Sequence, residues 1–193
     1  DATLSSSVLN DVLKNNIKTT FNAISCDGDT STNDMVSIFS TCKVNHSEIK
    51  KYSDSKLKNF NKAVHDVLLN LAKQVVSDGE GASKFISINC INCRTEKDAK
   101  NISFKIANSL LVKTAIAGED PNWGRVAMAI GNSDSKINEQ KLSISFGPYK
   151  IYHKGSLYKS YDEEKVMEYM KGKSIEIEVD IGQGVKKFKS YTM

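Results

Sequence analysis

The hydrophobic period of this chain changes partway along it, and the change limits the folds open to it. Early on, apolar residues recur three and four apart. Val8, Leu9, Val12, Leu13, Ile17 and Phe21 follow serines that suit a helix start. Phe60, Val64, Val67, Leu68, Leu71 and Val75 mark one face of a long amphipathic helix. In the last third, "KLSISFG", "YKIYHKG", "SIEIEVDI" and "VKKFKSYTM" read as strands, and "DIGQGV" as a hairpin joining the last two. "DEEKVMEYMKGK" reads as a helix with acids at its start and lysines at its end, as the helix dipole favours. "KFISINCIN" predicts an earlier strand, and a short one is expected around Ile24 to Cys26. A helix is expected from Asp34 to Thr41 with Met35, Val36, Ile38 and Phe39 inward. Another is expected across "EKDAKNISFKIANSLLVKTAI" with Ile102, Ile106, Ala107 and Leu110 inward, then one ending near Gly131.

Elements in this order predict a layered α/β (α+β) sandwich with mixed sheets and helices outside. The 193 residues suit one domain or two packed lobes, helix-rich over 1–133 and strand-rich over 134–193. Composition removes several classes. The net charge of +4 comes from interleaved residues with no basic-aromatic platform, so no nucleic-acid partner is expected. No run of eighteen apolar residues exists, so no membrane span is expected. No secretory signal opens the sequence, which points to the reducing cytoplasm. Asp1 opens it without an initiator Met, which reads as a processed chain or a fragment. "CINC" has metal-like spacing, but no second ligand pair matches it and the three histidines are scattered. Cys90 and Cys93 therefore read as small strand residues, and no metal is expected.

Three polar corners stand out. "DGDTSTND" gathers three Asp, one Asn and three hydroxyl residues between Asp27 and Asp34. As an EF-hand loop it fails, with Thr32 where glycine is needed and Ile38 where glutamate is needed. Its residues suit loop and cap hydrogen bonds first, and a strand-end site second. "SDGEGASK" pins Glu80 between two glycines just before a strand, where it is either a turn carboxylate or a fixed anion for a ligand ammonium group. "GEDPNWGR" offers Asp120 as a helix cap and Pro121 as a first helical residue. Gly124, Ala127, Ala129 and Gly131 would then make a small, flat helix face.

Taken in order, "ISCDGDTSTNDMV", "VVSDGEGASKFI" and "LVKTAIAGEDPNWGRVAMAIGNS" resemble the β chain of the ornithine acetyltransferase / glutamate N-acetyltransferase family of arginine biosynthesis. "DATLSSSVLNDVL" and "IEIEVDIGQGVKKFKSYTM" fit that chain too, so the resemblance covers essentially all 193 residues. It implies the layered fold shared with self-cleaving aminopeptidases. It implies a precursor that cuts itself before a threonine, leaving an α and a β chain that assemble as α2β2. That threonine takes acetyl from N2-acetylornithine and passes it to glutamate; some members also use acetyl-CoA. No bound cofactor is implied. The family's substrate-binding Glu falls on Glu80, with Asp27, Asp29, Asn33 and Asp120 as a candidate supporting shell. The nucleophilic Thr is expected upstream of Asp1, so no catalytic residue is assigned within the chain, and Thr3 is not nominated. An Asn and a Ser or Thr expected beyond Met193 are likewise outside it. A related amidohydrolase with an N-terminal nucleophile, or a lobe acting only in subunit association, are the rival readings.

Overall fold

The structure, a computed structural model, describes residues 1–193. Its contacts divide the chain into two units, residues 1–23 with 30–74 and residues 24–29 with 75–193. The division does not fall at residue 133, because the strand at 85–93 pairs with the C-terminal strands and draws the middle of the chain into their unit.

In the first unit, helix α1 (Ser6–Ile17) starts at Ser5, whose hydroxyl accepts the Val8 N–H. Its Val8 and Val12 bury against Leu4, Ile49 and Leu57, with Ile38, Tyr52, Phe60 and Val64 packed around them. Helix α2 (Lys58–Ser77) buries Leu68, Ala72 and Val76, one residue round from the predicted stripe, and leaves Val67, Leu71 and Val75 exposed. The predicted helix over 34–41 is absent, and these residues form no regular secondary structure. Val36 and Ile38 are half-buried while Met35, Ser37 and Phe39 are exposed. That alternation has the period of a strand, and the Ser31 hydroxyl takes the Asn33 and Asp34 N–H groups in a loop turn instead of capping a helix.

The second unit is built on one mixed six-stranded sheet with helices against it. Its strands are β1 (Phe85–Cys93), β2 (Ser143–Phe146), β3 (Tyr149–His153), β4 (Ser156–Leu157), β5 (Ser174–Asp180) and β6 (Lys186–Thr192). Their order is β4-β3-β2-β5-β1-β6. β1 runs parallel to β5 and antiparallel to β6. The predicted β5–β6 hairpin is therefore a crossing, because β1 lies between the two. The connection passes so close over the end of β1 that a side chain at Gly184 would press on the Cys93 carbonyl oxygen. Ile86, Ile88, Cys90, Ile175, Ile177, Val179, Ile144 and Phe146 line one buried face in register. Each large apolar side chain there contributes roughly 1.5–3 kcal/mol of burial. The other face is polar and half-buried, with Asn89 bonded to Glu178 at 2.9 Å and Lys189 paired with Glu176 at 2.8 Å.

Helix α3 (Glu96–Ala107) packs on β1 and β6 through Ile102, Ser103 and Ile106. It ends at Asn108, and Ser109 caps a separate helix α4 (Leu110–Ala117). The single predicted helix is thus two, and Leu110 is 79% exposed at the start of the second. Helix α5 (Trp123–Gly131) and helix α6 (Glu163–Met170) complete the unit. The small residues of α5 do not mark a close approach at its glycines: a Cβ at Gly131 would meet nothing within 4 Å.

Gly184→Ala is expected to lower unfolding stability by roughly 1–3 kcal/mol through this clash. Gly131→Ala, in a helix with open space, should raise it by roughly 0.5–1 kcal/mol. Urea unfolding of both variants checks the contrast, and equal effects would contradict it.

Candidate functional site

The three corners are placed by how the strands begin and end. Because β1 and β5 are parallel, they start at the same edge of the sheet, where the Phe85 N–H donates to the Lys173 carbonyl at 2.8 Å. Antiparallel β6 finishes at that edge, with Thr192 beside Ile86. There Ile24 forms a single parallel bridge to Tyr191, which is all that exists of the predicted strand at 24–26. Ser25 N–H donates to the Tyr191 carbonyl at 2.9 Å, so the start of "CDGD" is fixed at the same edge.

The "SDGEGASK" corner turns there as well. Gly81, and not Gly79, takes the left-handed conformation (φ 76°) that lets the chain reverse into β1. Glu80 is exposed on this turn. Four residues on, the Lys84 side chain is only 8% exposed. Its ammonium group donates to Glu119 Oε1 at 3.0 Å and to the Met170 carbonyl at the end of α6. A charge this buried is held by its partners.

Glu119 belongs to the "GEDPNWGR" corner. It sits at φ 60° just past α4, a conformation that non-glycine residues rarely take. The expected cap is shifted: Asn122, instead of Asp120, accepts the Arg125 N–H at 3.2 Å and starts α5 at Trp123. Asp120 instead accepts from the Asn122 side chain at 3.0 Å, and Pro121 is buried ahead of the helix. Trp123 stacks on Tyr152 with ring centroids 4.8 Å apart.

Lys113, the one charge inside the apolar run "LLVKTAIA", completes the arrangement. Its ammonium group donates to the Cys26 carbonyl. Burial lowers its pKa from 10.5, with Cys26 and the Asp27 carboxylate pulling the other way. Gly81, Ser83, Lys84, Lys113, Thr114 and Met193 line a cleft of about 270 Å³. With the Lys84 charge paired to Glu119, Lys113 is the cation it can offer to a small carboxylate-bearing ligand, and Glu80 is one residue along the chain from its wall.

Of the predicted shell, Asp27, Asp29 and Asp120 lie in this unit, and all three are exposed. Asp27 accepts the Asp29 N–H at 2.8 Å and shapes its own turn. Asn33 belongs to the other unit, exposed in the Ser31 turn. Lys84, Lys113 and Glu119 were missed as site residues. A lysine inside an apolar run was the available signal for Lys113; for the Lys84–Glu119 pair, 35 positions apart, nothing local marks it. Cys90 and Cys93 are fully buried thiols on β1, and no group of three His, Cys, Asp or Glu side chains lies close enough to hold a metal ion.

The ArgJ family model matches residues 1–193, the whole chain. The chain belongs to the ArgJ family. It is 46% identical over 187 residues to the arginine biosynthesis bifunctional protein ArgJ of Bradyrhizobium diazoefficiens, covering 95% of this chain and 45% of that protein. It is 40% identical over 184 residues to the protein of the same name from Caulobacter vibrioides, covering 95% of this chain and 46% of the relative. The crystal structure of ArgJ from Bacillus halodurans superposes with a TM-score of 0.93 at 34% identity, over 100% of this chain and 90% of that one. That match fixes the fold as the mixed α/β fold of ArgJ. The chain spans a little under half the length of the curated ArgJ relatives it matches.

The thiols give this ArgJ chain a measurable pH response. Burial raises the Cys93 pKa from 9.0 to about 11, helped by the Asp98 and Asp180 carboxylates, and burial likewise lifts Cys90. Unfolded thiols ionise near 9.0 while the folded ones keep their protons. Stability is therefore whole below pH 9.0 and falls as pH rises through about 11. Urea midpoints across that window should fall for the parent and fall less for Cys93→Ala; parallel curves would contradict the assignment.

Proposed function

We propose that this chain is the β portion of an enzyme that moves acetyl from N2-acetyl-L-ornithine to L-glutamate. The observation that carries the reading is the family match along all 193 residues, together with corners that meet at one edge of one sheet. A threonine hydroxyl outside this chain attacks the acetyl carbon, assisted by its own free α-amine. Ornithine leaves as the free amine and an acetyl-threonine ester remains. The glutamate amine then attacks the ester, giving N-acetylglutamate and restoring the hydroxyl. In some family members acetyl-CoA loads the same threonine.

Glu80 holds the amino end of ornithine or glutamate in this scheme. Both substrates also carry a carboxylate, which suits a cleft lined by Lys84 and Lys113. One pocket serves donor and acceptor in turn, as a ping-pong scheme requires. The α chain of the same precursor supplies the oxyanion donors, and two α with two β chains form the assembly. Family membership supports this pairing. The cytoplasm suits Cys42, Cys90 and Cys93, which form no disulfide, and no helix is long and apolar enough to cross a membrane.

The test is acetyl transfer by the complete protein, with labelled N2-acetylornithine and glutamate. Label is expected in N-acetylglutamate, and release as free acetate without glutamate would replace the reading with hydrolysis. Glu80→Ala should raise the KM for N2-acetylornithine roughly tenfold, the value of one charge-assisted contact at an exposed position. An unchanged KM would remove Glu80 from the site.

A further inference from the structure

A groove of about 530 Å³ lies between helices α3 and α5, and it shares no lining residue with the Lys84–Lys113 cleft. The two helices are antiparallel. At the start of α5 the Arg125 guanidinium donates to the Leu111 carbonyl, just beyond α3, at 2.9 Å. Just past α5 the Ser135 hydroxyl donates to the Asp98 carboxylate, in the first turn of α3, at 3.2 Å. The groove therefore has two unlike ends.

One end is positive. Lys105 stands in the last turn of α3, and its ammonium group has no partner in the protein. The side-chain oxygen of Asn108 takes the Ser25 hydroxyl at 2.6 Å, which leaves its amide nitrogen as a donor. Ser109 then caps α4 and brings in the positive end of that helix. The other end is negative. Asp134, at φ 56°, follows the C-terminus of α5. A carboxylate there opposes the helix dipole, and no cation of the chain pairs with it. Phe104 and Met128 add apolar surface to the walls. Ser133 is an independent sign of a ligand. It lines the groove, it is only 1% exposed, and its hydroxyl has no hydrogen-bond partner. A buried hydroxyl is costly to leave unpaired, so one on a groove wall is a contact point for what the groove holds.

We infer that the α3–α5 groove binds a linear amino-acid zwitterion. Its carboxylate lies at Lys105 and Asn108, and an ammonium group at the far end of its stem lies at Asp134. The Ser133 hydroxyl, beside Asp134 in the chain, accepts from the same ammonium group. The spacing suits such a molecule. Helix α3 rises about 10 Å from Asp98 to Lys105, and a stem of about five carbons reaches between side chains anchored at those two levels. A dicarboxylate would meet Asp134 as a like charge. An apolar ligand would leave Lys105, Asp134 and Ser133 unanswered.

Isothermal titration of the complete protein with 6-aminohexanoate tests the groove, because this probe carries both charges on one unbranched stem. Saturable binding is expected with a Kd below about 10 mM. Hexanoate and hexylamine, each lacking one charge, should bind at least roughly tenfold more weakly. Lys105→Met and Asp134→Asn, both at exposed positions, should each weaken the probe by a similar factor, roughly tenfold. Glu80→Ala should leave its affinity unchanged. Absence of saturation, or equal affinity in the parent and both groove variants, would overturn the site. Loss of the probe in Glu80→Ala alone would move it to the reaction cleft, overturning the groove and leaving the proposed reaction standing.

Discussion

The candidate site depends on one buried ammonium group. Lys84 follows the turn that carries Glu80, and its nitrogen is shared by Glu119 past α4 and the Met170 carbonyl at the end of α6. Removing a lysine charge from water costs several kcal/mol, so this one persists only where its partners are fixed. The pair therefore ties three stretches distant in sequence to one point. Lys113 does the same for a fourth by reaching the Cys26 carbonyl from α4. Glu119 stays in a strained left-handed conformation because this arrangement holds it there.

Sheet topology decides where that point lies. β1 is placed between a parallel and an antiparallel neighbour, so the starts of β1 and β5 and the end of β6 share an edge. Ligands in open parallel sheets usually gather at the carboxyl ends of strands. Here the cleft forms at the amino ends of β1 and β5, because the turn before β1 and the bridge from Ile24 to Tyr191 converge there.

Local rules made much of this legible. α1, α2 and α6 followed from apolar period and capping residues, and β1 and β5 from their apolar strand patterns. The misses have a common cause, which is partners far away in sequence. "DMVSIFST" carries enough apolar residues to pass for a helix, but its Ile38 packs against a core built from Leu4, Val8 and Ile49. "DIGQGV" has the glycines of a hairpin, yet β1 pairs with both flanking strands and separates them. Of the candidate residues, Glu80, Asp27, Asp29 and Asp120 were readable as motif residues. The buried lysines were not, since Lys84 meets Glu119 across 35 positions and Lys113 meets Cys26 across 87.

A double-mutant cycle on Lys84 and Glu119 reaches the central claim most directly. Urea unfolding would be measured for the parent, Lys84→Met, Glu119→Gln and the double variant. If the pair ties the corners together, the double variant should be about 1–3 kcal/mol more stable than the sum of the single losses predicts, because losing both charges removes the buried, uncompensated one. Losses that add to within about 0.5 kcal/mol would contradict the account.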